Sequence, residues 1–334
     1  MTTQNDSTDT HTSVQPHYAP QLDVLYRPEV SFEGNDENHA SRTPTKARRF
    51  LEHVADQKLS DYLNILREFG PLANSEFLRA HTREYVEAFF RGEEPHASSN
   101  GLEWSPEFAE SVRYTNSSLV HAVENALAHP ARISLSPTGG FHHASPESGR
   151  GFCSMSGQAI AALRVYEQRG AVGAWFDLDC HFGNSIEDTR SHAPLLDQAL
   201  PRDLHINPQD SGSRYIENLR AGIARVGRAV LRGEVHYLAF AHGADSHEWD
   251  DLGGQCTTEE WLRASRLVYS AIEYWSRTLG RPIPVVLAFF GGYRDDDAAS
   301  VLELHAADLA IALRTLAGVS IDYAPRVKPK ARRR

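Results

Sequence analysis

The chain has 334 residues, of which 41% are apolar and 23% charged, an ordinary balance for a globular protein with room for two average domains or one large α/β domain. Its net charge of −10 disfavours general binding to nucleic acid or to an anionic membrane. No apolar run approaches the ~20 residues of a membrane helix, the N-terminus lacks a secretory pattern, and three widely spaced cysteines, Cys153, Cys180 and Cys256, form neither a disulfide framework nor a thiolate metal site; a reducing cytoplasm is the expected setting.

In chain order, residues 1–18 read as a polar, disordered tail. QLDVLYRP (21–28) reads as a first strand, 31–44 as a long polar loop, and 45–56 as a helix. The apolar spacing over 61–69 and 75–91 predicts two more helices, and 92–101 is a breaker-rich loop. Helices are expected at 105–114 and 117–129, then a short strand at 131–137 and a glycine-rich loop reaching Cys153. A helix over 154–169 ends at Gly170. The stretch WFDLDCHFGN (175–184) begins as an apolar strand, and RDLHIN (202–207) is a further candidate strand. An amphipathic helix over 212–232 precedes the strand VHYLAFAHGAD (235–245). Thr257 and Glu260 form a capping-box pattern at the head of a helix to about Thr278. IPVVLAFFGGY (283–293) reads as a strand buried on both faces, and the last helix runs from about Asp295 to Leu316 before a basic tail (321–334).

Alternating strands and helices imply one domain, over about 19–320, with a mostly parallel sheet flanked by helices in three layers. Active sites of such sheets lie at the carboxyl ends of the strands. Four chemically rich stretches fall there: those after 131–137, 174–179, 235–245 and 283–290. In an extended chain Asp177, Asp179 and His181 would point to one spot. Carboxylate and imidazole without thiolate suit a divalent metal such as zinc, while the plainer reading is a buried strand with a solvated polar end. Taken singly, the pair His142–His143 could be surface, Asp245 a loop cap, and Tyr293 a core residue.

The blocks GGFHHA with GFC, DLDCHFGN, GADSHEWDDLGG and FFGGY, in this order, resemble the zinc-dependent histone deacetylase superfamily. That superfamily includes the bacterial histone-deacetylase-like proteins and acetylpolyamine amidohydrolases and has the arginase-deacetylase fold. The resemblance runs from about Tyr18 to Leu316. It implies an enzyme that removes an acetyl or short acyl group from an amine by zinc-activated water attack. Asp179, His181 and Asp245 would be the metal ligands, with iron(II) or cobalt as alternative ions. His143 would be the general base and then acid, His142 its electrostatic partner, and Asp177 and Asn184 the residues that orient them. Tyr293 would stabilise the oxyanion. Phe152, with Gly151 before it, would form one wall of the substrate tunnel. Asp177 and neighbouring backbone oxygens would hold a monovalent cation such as potassium.

Departures from the family pattern are Phe182 in place of a second histidine, Ala244 for a phenylalanine, and His242 for a small residue. The segment Asn207–Gly212 stands where the opposite aromatic wall is expected, and Leu252 stands where polyamine-selective relatives can carry an acid. His242 and His247 are expected to serve loop hydrogen bonds rather than the metal. The partner implied is an acylated amine, with neither nucleic acid nor membrane. The competing readings are an arginase-type manganese hydrolase and a catalytically silent acyl-amine binding protein.

Overall fold

A computed structural model describes residues 21–32 and 43–329. The expected N-terminal tail (1–18), most of the polar loop at 31–44 and the last five residues lie outside this range. The strands are β1 (Leu22–Leu25), β2 (Leu63–Leu66), β3 (Ile133–Ser136), β4 (Gly173–Asp177), β5 (His205–Ile206), β6 (Tyr237–His242) and β7 (Val285–Phe289). The helices are α1 (Thr43–Asp56), α2 (Asn74–Phe77), α3 (Arg83–Arg91), α4 (Pro106–Ala128), α5 (Gly157–Arg169), α6 (Ser185–His192), α7 (Leu196–Ala199), α8 (Ser213–Leu231), α9 (Thr258–Leu279) and α10 (Ala298–Leu316).

The seven strands form one sheet in the order β2-β1-β3-β7-β6-β4-β5, and every pairing is parallel. One layer of helices is linked through the packing of α4 on α5 and of α5 on α6 and α7; the other through α8 on α9, α9 on α10 and α10 on α1. This is the three-layer α/β architecture expected from the alternation. The central strands β3, β4, β6 and β7 are buried along their whole length, which is why they read as unbroken apolar runs. Because all strands run the same way, the loops after β3, β4, β6 and β7 emerge at one edge.

Several elements differ from expectation. Residues 61–69 form no α-helix: Leu63–Leu66 is an edge strand whose Asn64 pairs in register with Asp23 of β1 and donates to its carboxylate at 2.8 Å. A non-local partner thus overrides a helix-like spacing. The helix expected over 75–91 is split into α2 and α3, with Thr82 capping the second. The two helices expected over 105–129 are one, α4, within which Thr115 and Asn116 turn their side chains back onto the carbonyl of Val112, at 3.0 and 2.8 Å. The expected strand at 202–207 shrinks to two residues, and Thr257 and Glu260 do form the capping box of α9. The segment after α10 lies along that helix: the Tyr323 hydroxyl donates to Glu303 at 2.6 Å and the Lys328 amide to Ser300 at 3.1 Å. Among the described residues no helix is long and apolar enough to cross a membrane.

Candidate metal centre and active site

β4 ends at Asp177, so Asp179 and His181 sit in the loop beyond it and Asp245 in a short 3-10 turn after β6. One ligand atom from each of Asp179, His181 and Asp245 lies within 4.8 Å of the others. The expectation that Asp177 shares their spot fails, because the chain leaves the extended state there. Asp177 turns instead to His142, whose Nδ1 donates to its Oδ2 at 3.1 Å.

The donor set fits a divalent cation. His181 Nε2 donates to the Leu252 carbonyl at 3.2 Å, so Nδ1 is the atom that faces the carboxylates, 3.1 Å from Asp179 and 2.9 Å from Asp245. In a neutral ring that nitrogen carries only a lone pair, and a positive charge must stand between it and the two carboxylates. A proton supplies that charge when no metal does: its bonds to Asp179 and Asp245 push His181 up to about 10. Burial and the nearby Asp179 carboxylate hold Asp245 well above the usual carboxylate range. A divalent ion would relieve both. Backbone amides fix the carboxylates: Gly291 donates to Asp179 at 2.7 Å and Cys180 to Asp245 at 3.2 Å. A Cβ on Gly291 would stand 2.3 Å from Asp245 Oδ2, so only glycine lets the turn after β7 come this close.

The loop after β3 brings His142 and His143 to the same edge, their rings 4.1 Å apart. Their surroundings push them in opposite directions. Burial alone would lower His142, but Asp179 and Asp177 outweigh it and raise it to about 9. Burial and the neighbouring His142 lower His143 to about 4, against the bond its Nδ1 makes to Asn184 Oδ1 at 3.1 Å. Gly151 has a left-handed φ of 52°, and a Cβ there would meet His143 at 2.8 Å. Phe152 follows, also with positive φ, its ring 5.8 Å from that of Tyr293. Tyr293 is buried, and burial followed by the carboxylates of Asp179 and Asp245 holds its phenol well above its ordinary value, hence protonated.

Other expectations resolve as follows. His242 stacks on Trp261 at 3.8 Å and approaches Ser265 and Asp308, while His247 meets Thr258 at 2.8 Å. Neither histidine belongs to the metal-ligand group. The Asp177 carbonyl accepts from Asn207 at 2.7 Å and its Oδ1 from the Asp179 amide at 3.2 Å, each oxygen keeping a further lone pair. The side chain of Leu252 is exposed, and the main-chain carbonyl is the atom that engages His181.

Four further residues support the site. Asp250 accepts from the amides of Tyr293 at 2.6 Å and Leu252 at 2.9 Å, joining two loops. Lys46 is buried, donates to the Phe290 carbonyl at 2.5 Å, and is lowered to about 8 by burial despite Asp245 and Asp179 nearby. Asn207 holds the β4 loop through Asp177 and Gly183. Asp188 accepts from the Asn184 amide. Only Asp250 carried a signal in sequence, its place in the SHEWDD block.

Residues 40–209 match the family model of the histone deacetylase domain. This chain belongs to the histone deacetylase family. It is 29% identical over 238 residues to an uncharacterized protein of Picosynechococcus sp., covering 64% of this chain and 73% of that one. It is 23% identical to histone deacetylase 8 of Xenopus tropicalis over 166 residues, 46% of this chain and 44% of that protein. The crystal structure of the HD domain of HDA15 superposes with a TM-score of 0.69 at 15% identity, over 91% of this chain and 90% of that one, a likeness of fold.

Proposed function

We propose that the protein is a zinc-dependent amidohydrolase that removes an acetyl or short acyl group from an amine. The observation that carries this reading is the place of His181: its ring stands 6.0 Å from that of His143 and 6.3 Å from that of Tyr293. A base, a metal ligand and a protonated phenol thus converge on one site. Asp179, His181 and Asp245 would hold the ion, which when bound polarises the amide carbonyl and acidifies a water.

The remaining work falls to side chains. His143 is neutral and its Nδ1 is engaged by Asn184, so Nε2 is the atom free to take a proton from the attacking water and pass it to the departing amine. His142, kept cationic by Asp179 and Asp177, adds positive charge beside the reacting carbonyl. The protonated Tyr293 donates to the oxygen as it becomes anionic. Phe152, packed beside Tyr293, offers an apolar wall to the acylated amine. The segment 207–212 contains no aromatic residue, so it supplies no aromatic wall opposite Phe152. All three cysteines are free, which supports a reducing, cytoplasmic setting.

The test is a zinc-loaded assay on an acetyl-lysine peptide and an N-acetylated polyamine in parallel. Turnover that Tyr293→Phe and His143→Ala both abolish is the expected result. No turnover on either substrate, with stoichiometric metal bound, overturns the reading.

A further inference from the structure

Asn184 is the N-cap residue of α6, a position where asparagine ordinarily accepts a hydrogen bond from the helix's first free amides. Here it makes no such cap. Its Oδ1 faces His143 Nδ1 at 3.1 Å, and its Nδ2 donates to the carboxylate of Asp188, one helical turn on. The amide therefore has two non-helical partners, and they are not equivalent. An ionised carboxylate only accepts. Asp188 thus dictates which end of the amide faces it, and so which end faces the histidine.

We propose that Asp188 is a positioning residue of the hydrolytic reaction, fixing the Asn184 amide so that His143 carries its proton on Nδ1 and keeps Nε2 bare. The inference rests on the amidohydrolase reading for its kinetic consequence, not for its structural one. Without Asp188 the amide can rotate by half a turn and present NH₂ to the ring. Nδ1 would then have to accept, the proton would move to Nε2, and the base would be lost. His142 needs no such relay, because both oxygens of its partner Asp177 are acceptors whichever way the carboxylate turns. Asp188 makes no ion pair among the described residues that would divert it. It is half-buried, lining an open surface pocket of about 480 Å³ with Ser145, Glu147 and His192.

The experiment is a double-mutant cycle on the zinc-loaded full chain, with kcat and KM measured separately. In the native background Asp188→Ala should lower kcat by about 10- to 100-fold, the usual effect of losing an outer partner of a site residue, with KM little changed. Asp188→Asn can present either end of its own amide to Asn184 and should restore only part of the rate. In an Asn184→Asp background, where residue 184 accepts with either oxygen, Asp188→Ala should cost nothing or should help by removing a like charge. A structural role would give equal losses in both backgrounds, and that result overturns the proposal. Nitrogen-15 NMR of labelled histidine reads the same point without turnover: His143 should be the Nδ1–H tautomer in the native protein and a mixture in Asp188→Ala. An unchanged tautomer also overturns it. If the native protein hydrolyses neither substrate while the tautomer shifts as described, the function is wrong and the positioning stands.

Discussion

Asp23, in the β1 flank of the sheet, and Asp245, beyond the end of β6, are both buried carboxylates, and their surroundings satisfy them in opposite ways. Arg132 grips Asp23 through two nitrogens at 2.6 and 2.8 Å, and Asn64 and Asn125 donate at 2.8 and 3.1 Å. Burial would raise that carboxyl, but these donors outweigh it and hold it below its usual range. Asp245 has an amide and the His181 ring, and faces a second carboxylate, Asp179. The first cluster is complete within the protein. The second draws its positive charge from a proton on His181, and such a buried Asp-His-Asp group could hold a metal ion in that proton's place.

The largest way to break the comparison is at Asp245. Asp245→Ala should abolish stoichiometric zinc binding, read by elemental analysis, and lower activity about a thousandfold, the scale of a lost metal's contribution of several kcal/mol. In metal-free protein Asp245→Asn should have the opposite sign for stability, raising Tm by roughly 2 °C for about 1 kcal/mol of relieved repulsion. A lower Tm in that metal-free variant would mean that the two clusters are alike after all.

At the other cluster, Asp23→Ala should cost about 3 kcal/mol in urea unfolding, because it removes the buried carboxylate to which Arg132, Asn64 and Asn125 all donate. The kcat of the folded fraction should not move. Retained stability there would make the β1 flank a solvated surface rather than a sealed knot.

Tyr293→Phe separates chemistry from architecture. It should lower kcat by about 10²–10³-fold, as for loss of one oxyanion donor, with zinc content and Tm unchanged. A matching fall in Tm would assign the hydroxyl to packing.

The smallest effect is in pH. The folded-state pKa of Asp23 is depressed, so its contribution is fully present above the unfolded value of about 3.9 and is lost as pH falls through the folded one. The Tm gap between the native protein and Asp23→Asn should be constant near neutrality and close below about pH 4. A gap independent of pH down to the acid limb would show that the pair's charge adds nothing.

The strand pattern was legible because β3, β4, β6 and β7 are buried on both faces and carry long apolar runs. The edge strand β2 was not, since its leucine and isoleucine spacing suits a helix as well. Lys46, Asn207 and Asp188 were invisible as site residues, because each acts through a partner distant in sequence or through a helix turn not yet placed.

By itself the sequence determined the kinds of group available: hard carboxylates, imidazoles and one tyrosine, each placed after an apolar run long enough to be a buried strand. Burial of a run and the chemistry of a side chain are local properties, and local properties survive in one dimension. Tertiary structure alone decided that the Leu252 carbonyl sets the face His181 presents, and that the Asn184 amide is held from its other end by Asp188. Those assignments depend on which oxygens and nitrogens come within about 3 Å, and only the folded chain brings them that close.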